Sequence, residues 1–517
     1  MPKQKTEDLI HLVKSLTRAE KRHFRLFVRR NQASDDILFL RLFDYLDKTK
    51  AYDEARILEK IPAIKKRQLS NLKAHLYKQL LISLRLLKTS QQTDIQIREL
   101  VDYGRVLYER GLYRQALDTL AKAKGQAYER KYLALAMEII EFEKLIEGQY
   151  ITRSIEGRAE QLAQEATRVS YLLEQANQFS NLSLRLYGLY LRKGYVRNEA
   201  DFREVRGFFR EHLPDARYEE LDFFGKLYYC QSYVWYHHTV QDFAYCYRYA
   251  QKWVELFEEY PDCKQAHAPL YLKGLHNLLN ALFNSLQYER FEEALQKLLQ
   301  FPASQGESMS RNVESLYWLY YYIHSIKYHF LRGTFSEGLE LVPPLAEAIE
   351  RNQYNWDSHR GMVFYYRIAC LYFGSGDNAR AVDYLNKIIN QKNPDYRADI
   401  QCFARILNLI AHYELGNERL VEYQVKAVYR FLAKMDDLQA VQREIFAFLR
   451  RLPKTPPGQL TVAFEELLSR LREHEKAPFE KRPFLYLDII SWLESKIQNV
   501  SVQEIVQNKS LLRLKAK

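Results

Sequence analysis

The sequence predicts an all-α protein: an α-solenoid of helical hairpins with a basic helical domain at its N-terminus. Three observations lead there. Gly (18) and Pro (14) are scarce, about 6% of the chain against roughly 12% in average proteins, which favours long helices joined by short loops. The stretch YGRVLYERGLYRQALDTLAKAKGQA, Tyr103 to Ala127, holds two amphipathic helical patterns that meet at Gly111. Small residues, Gly104, Ala116 and Ala123, stand where the two helices would approach closely. The charge is also lopsided. Residues 1–90 hold 21 Lys+Arg against 10 Asp+Glu, so nearly all of the net +12 belongs to the first sixth of the chain. A basic head on a neutral body suggests two jobs.

A chain of 517 residues is too long for one compact core, so several domains or a repeat array are expected. With 47% hydrophobic and 27% charged residues, the composition is that of a folded chain. The start, MPKQKTEDLIHLVKSL, lacks the apolar core of a signal peptide, and no run approaches the ~18 apolar residues of a membrane span. A cytoplasmic protein without membrane contact is expected. The five cysteines, Cys230, Cys246, Cys263, Cys370 and Cys402, are widely spaced and odd in number, which favours free thiols over a disulfide framework.

The head (residues 1–90) opens with a helix from about Glu7 and restarts at Thr17. Thr17-Arg18-Ala19-Glu20 is a capping box, in which hydroxyl and carboxylate each satisfy the other's backbone N–H. At about 100° per residue, Arg18, Lys21, Arg22, Arg25 and Arg29 share one face of the helix that follows, with His23, Phe24 and Phe27 on the other. Residues 37–46 read as a buried helix, and 53–61 as a short one stopped by Pro62. A long helix follows, with Leu69, Leu72, Leu76 and Leu80 as its apolar stripe and Lys65, Lys66, Arg67, Lys73 and Lys78 as positive charge. The candidate basic surface is Arg18, Lys21, Arg22, Arg25, Arg29, Lys66, Arg67 and Lys73. A short helix before a basic one loosely resembles a helix-turn-helix, so the face suits a solvated surface, an acidic protein or nucleic acid. The polar segment 88–94 (KTSQQTD) is the expected domain boundary.

From residue 95 the hairpins begin. Gly104, Leu107, Gly111, Tyr113, Ala116 and Ala123 occupy the small, large, turn, aromatic and small places of the tetratricopeptide repeat, which this stretch resembles; Tyr128 stands where that family closes with Pro. A second match holds Ala369, Tyr372, Gly376, Ala381 and Leu385, with Pro394 near the closing place. Weaker echoes are Tyr190 with Gly194, Phe291 with Ala294 and Pro302, Gly333 with Phe335, and Tyr413 with Gly416. Gly333 to Gly376 is 43 residues and Gly376 to Gly416 is 40, longer than the ~34 of the standard unit. The resemblance covers residues 95–452 and implies stacked hairpins that bind a protein or peptide. Breaks are expected at 303–312, 391–395 and 453–458, and Pro343-Pro344 is expected to end or kink a helix. Residues 459–517 read as capping helices, at 460–474 and 486–498, followed by a frayed basic tail from Lys509.

The search for catalytic chemistry returns no phosphate loop, dinucleotide fingerprint, nucleophile elbow or His-Glu-x-x-His. Gly374-Ser375-Gly376 falls at a hairpin turn. His237 and His238 point about 100° apart on a helix, poor for one metal, and His324 and His329 are no better placed. No catalytic, cofactor-binding or metal-binding residue is nominated. Aromatic clusters remain, with Tyr229, Tyr233, Tyr236, Tyr317, Tyr321 and Tyr365 as candidate partner-binding residues against the alternative of plain inter-helix packing. The expected function is a non-enzymatic scaffold that binds protein or peptide. The alternative is a regulator whose head binds nucleic acid and whose repeats sense a ligand.

Overall fold

A computed structural model describes residues 3–31, 38–49, 52–89, 92–149, 156–304, 309–391, 398–432, 440–476 and 488–515. Among these residues every regular element is a helix. The chain divides into two compact units, residues 1–171 and 172–517. The segment expected as a boundary, 88–94, falls inside the first unit, and its residues 90–91 lie outside the described residues.

The first unit begins with α1 (Lys3–Ser15), α2 (Arg18–Asn31), α3 (Leu38–Lys48), α4 (Glu54–Lys60) and α5 (Lys66–Thr89). The capping box forms: Thr17 N–H donates to Glu20 Oε2 at 2.7 Å, and Glu20 N–H to Thr17 Oγ1 at 3.2 Å. Asp53 caps α4 by accepting from the Ala55 and Arg56 N–H groups. Phe24 meets Phe43 edge to face at 4.8 Å, and Leu9, Val28, Leu42, Ile57, Leu69, Leu76 and Leu80 complete one apolar core.

The hairpin follows as α6 (Thr93–Glu109) and α7 (Tyr113–Glu129), packed along their lengths, with α8 (Leu133–Gln149) against α7. Gly104 is buried where a Cβ would stand 3.0 Å from Leu120 Cδ2, so the small residue sets the spacing of the pair. The turn is left-handed at Gly111 (φ +74°), and Leu112 N–H bonds back to the Leu107 carbonyl, closing a Schellman motif. Helix α9 (Arg158–Lys193) begins in the first unit and ends in the second.

The second unit continues with α10 (Glu199–His212), α11 (Phe223–Thr239), α12 (Phe243–Glu259), α13 (Pro261–Ala266), α14 (Ala268–Asn284), α15 (Tyr288–Ser304) and α16 (Arg311–Arg332). Next come α17 (Phe335–Gly338), α18 (Val342–Glu350), α19 (Ser358–Ser375), α20 (Asn378–Ile389), α21 (Ala398–Glu414), α22 (Glu418–Leu432), α23 (Ala440–Arg451) and α24 (Leu460–Lys476). Sequence neighbours pair: α11 with α12, α14 with α15, α19 with α20, α21 with α22. The first helices also meet one another, α14 with α16, α16 with α19, and α19 with α21.

The same left-handed turn recurs at Gln241, Leu286, Gly333, Gly376 and Gly416, about 40 to 47 residues apart, beyond the ~34 of the standard unit. At two of these turns a non-glycine residue takes the left-handed place, Gln241 (φ +61°) and Leu286 (φ +54°). Their backbone bonds, Asp242 N–H to His237 O at 2.9 Å and Gln287 N–H to Leu282 O at 3.0 Å, hold a conformation that costs an L-residue about 1 kcal/mol or more.

One expectation is met and one corrected. Pro343 and Pro344 interrupt the helical run that starts at Phe335: a 3-10 turn at Leu339–Leu341 precedes them, and they stand in the first turn of α18, where missing N–H groups are tolerated. The tail from Lys509 is not frayed over its described residues, 509–515. It belongs to a helix, Val502–Lys515, in which Lys509 Nζ reaches Glu494 at 2.6 Å and Ser491 at 2.8 Å, and Arg513 donates to the Tyr288 hydroxyl at 2.9 Å. This helix crosses α16 at Gly333, where a Cβ would meet the Gln507 nitrogen at 2.6 Å. One ion pair and two side-chain hydrogen bonds anchor it, a feature that local charge counting cannot reveal. The other terminal helix is Ile489–Gln498; the start expected for it at 486–488 lies mostly outside the described residues, as do residues 305–308 and 392–395 of the expected breaks.

Candidate binding surfaces

The basic face of the head is smaller than its residue count. Lys21 Nζ lies 2.6 Å from Asp47, and Arg25 bonds Asp44 at 2.8 Å and Asp47 at 3.2 Å. Burial pushes the Asp47 carboxyl up, but the Lys21 and Arg25 bonds outweigh it and hold it below its ordinary value. Lys73 leaves the surface altogether. It is 5% exposed, donates to Thr6 Oγ1 at 3.0 Å and to the Tyr52 hydroxyl at 2.9 Å, and ties α5 to α1. Its position among the leucines of α5 turns it inward, and burial pushes its amine below the usual lysine range. Arg18, Arg22, Arg29, Lys66 and Arg67 remain exposed.

The nominated tyrosines are mostly bridges between helices. Tyr229 and Tyr233 on α11 pack on Tyr249 of α12, the Tyr233 and Tyr249 rings stacking at 4.3 Å, while Tyr236 stacks on Phe209 of α10 at 4.2 Å. Tyr317 is a core residue, 5% exposed, stacked on Phe301 and pushed by burial up to about 12. Tyr321 is half-buried beside Trp318, and Tyr365 is half-buried beside Tyr384 with Lys387 over its ring. Burial rather than ligand binding accounts for Tyr317, because α16 turns that position toward α15.

A polar chain that the sequence reading did not single out lies between α14 and α16. Lys327 Nζ donates to Asn280 Oδ1 at 2.7 Å. Lysine has no acceptor, so this bond fixes the amide's orientation, and Asn280 Nδ2 donates to His276 Nε2 at 2.9 Å. The neutral His276 then carries its proton on Nδ1 and donates to His324 Nε2 at 2.9 Å. The His324 proton consequently sits on Nδ1, a buried atom without a protein partner. Tyr320 stacks on His276 at 4.2 Å, and Lys327 stands 4.3 Å over the Phe283 ring.

Burial, reinforced by neighbouring cations, holds both imidazoles well below 6.5 and Lys327 well below 10.5. Burial lowers His238 on α11 to about 4, with Lys327 adding to the effect. Arg367 of α19 joins the group by donating to the Ile323 carbonyl of α16 at 3.1 Å. One sequence signal was available: α11, α14 and α19 contain no Asp or Glu.

None of the five cysteines is in a disulfide; burial pushes Cys230, Cys246 and Cys370 up to about 12, where they behave as apolar side chains. Among the described residues no group of His, Cys, Asp and Glu is placed to hold a metal ion, and no helix is long and apolar enough to cross a membrane. No family model, curated protein or solved structure matches this chain.

Proposed function

We propose that the chain is a non-enzymatic scaffold, a solenoid of tetratricopeptide-like hairpins that binds protein or peptide on the face formed by its first helices. The observation that carries this reading is the stripe those helices share. Trp235 and His238 on α11, Lys273, Asn277 and Asn280 on α14, Ile323 on α16, and Val363 and Arg367 on α19 recur at helical spacing and are half-buried. Such a stripe, part aromatic and part polar, suits an extended chain that needs both contact area and hydrogen-bond partners. A photo-crosslinking residue in place of Asn277 should trap a recurrent protein partner in cells, and one at exposed Glu259 should not. Trapping nucleic acid, or equal yield at both positions, counts against the reading.

The head supports a second reading, binding to nucleic acid. Lys66 and Arg67 are exposed in the first turn of α5, where the helix macrodipole disfavours cations and favours a bound anion.

A further inference from the structure

Helix α22 is strongly two-faced. Val421, Val425 and Val428 form its apolar side and are buried in the core of the second unit. On the opposite side, at about 100° per residue, Arg419, Tyr423, Lys426 and Arg430 fall within an arc of about 60°. All four are exposed. Tyr423 is 76% exposed, and its side chain makes no hydrogen bond or ring contact among the described residues. The tyrosines of α11 and α16 bridge neighbouring helices, whereas this one has nothing to bridge.

The surface continues onto α23. The Tyr429 ring stacks on Phe446 with centroids 6.0 Å apart, and Lys454 Nζ lies 3.9 Å from Glu422, so the chain after α22 returns antiparallel beside it. Arg443 and Arg450 stand one turn before and one turn after Phe446, and both are exposed. Tyr429, itself 55% exposed, therefore lies over the part of α23 that these two arginines flank.

The positive charge is not spent on protein carboxylates. Arg419, Lys426, Arg430, Arg443 and Arg450 make no ion pair among the described residues. Glu422, at the edge of the face, is engaged by Lys454, and Glu444 by Arg470 at 3.4 Å. Glu418 is in the first turn, about 100° from Arg419.

Cations and unpacked rings on one face fit a single nucleic-acid strand, whose phosphates meet the cations while an unpaired base stacks on a ring. In a duplex the bases are stacked on one another and offer Tyr423 no face. A membrane surface takes up an apolar helix face, and that of α22 is in the core. An acidic peptide would meet the cations but bring nothing flat to the tyrosine.

We propose that the exposed face of α22, continued by Arg443 and Arg450 of α23, binds single-stranded nucleic acid, with a base on Tyr423 and phosphates on Arg419, Lys426 and Arg430. The site uses the second helix of its pair, whereas the peptide reading above uses first helices.

The test is fluorescence anisotropy on the full chain with three labelled probes of equal length: a single oligo-dT strand, the same strand abasic throughout, and a duplex. The dT strand is expected to bind most tightly. Tyr423→Ala should weaken it about 5- to 50-fold without changing the salt slope, and Tyr423→Phe, which keeps the ring, should bind as wild type does. Lys426→Gln with Arg430→Gln should make the slope of log affinity against log salt shallower by about 1.4. Lys66→Glu with Arg67→Glu, in the head, should leave binding of the strand unchanged. Equal binding of the abasic and dT strands, or a duplex bound as tightly, overturns the proposal. So does a loss produced by the head variant and not by the α22 variants, or undetectable binding at low salt. Displacement of the strand by poly-glutamate as readily as by unlabelled dT also overturns it and makes the partner an acidic peptide.

Discussion

Lys124 Nζ lies 2.6 Å from a Glu143 carboxylate that is only 1% exposed, and 2.9 Å from Glu165, so one ammonium on α7 ties α8 to α9. Tyr128 donates to the other Glu165 oxygen at 2.7 Å, and Arg158 approaches Glu143 at 3.3 Å. Replacing Lys124 with Met would leave Glu143 buried with only the longer Arg158 contact. The expected loss is about 2 to 4 kcal/mol, below the usual upper range for a broken buried pair because Arg158 remains. Urea unfolding of Lys124→Met against wild type measures it, and a loss under about 1 kcal/mol would falsify the view that this network holds the three helices together.

Acid should destabilise the second unit before carboxylates titrate. His238, His276 and His324 bind protons more weakly folded than unfolded, because burial lowers their folded values, to about 4 for His238. The unfolded chain therefore takes up more protons below pH 6.5, and stability falls as pH drops from 6.5 toward 4. Denaturation midpoints taken from about pH 8 to about pH 5 should be level at first and then decline. A curve that stays level to about pH 5 contradicts neutral, buried imidazoles.

Two glycines should respond in opposite directions. At Gly374 a Cβ would stand 2.5 Å from the Phe335 ring, so Gly374→Ala forces the ring or the helix to move and should cost about 1 to 3 kcal/mol. At Gly188, inside α9, a Cβ meets nothing within 4 Å. Gly188→Ala should stabilise by about 0.5 to 1 kcal/mol through helix propensity. Thermal melts of the two variants would show the opposite signs; a shared sign refutes the packing account of Gly374.

With Lys21 and Arg25 paired and Lys73 buried, Arg18, Arg22, Arg29, Lys66 and Arg67 are the nominated residues left to bind nucleic acid. If these neutralise about five phosphates, log affinity for duplex DNA should fall with log salt at a slope near −4 to −5. Lys66→Glu with Arg67→Glu should reduce that slope by about 2. Anisotropy titrations at several salt concentrations decide it, and undetectable binding at low salt removes the second reading.

The sequence by itself determined the helical class, the hairpin at Tyr103–Ala127, the capping box at Thr17 and the glycine turns at Gly111, Gly333, Gly376 and Gly416. These rest on relations within a few residues: helical periodicity, cap chemistry and the left-handed freedom of glycine. The turns at Gln241 and Leu286 were hidden because there local backbone hydrogen bonds, not residue type, hold the left-handed conformation. Tertiary structure alone decided that Lys73 turns inward, that Tyr317 is core, that the helix carrying Lys509 docks across α16, and that Lys327 meets Asn280. Each depends on what a neighbouring helix brings to the same place, and a helix sequence records the face a residue occupies without recording what that face will meet.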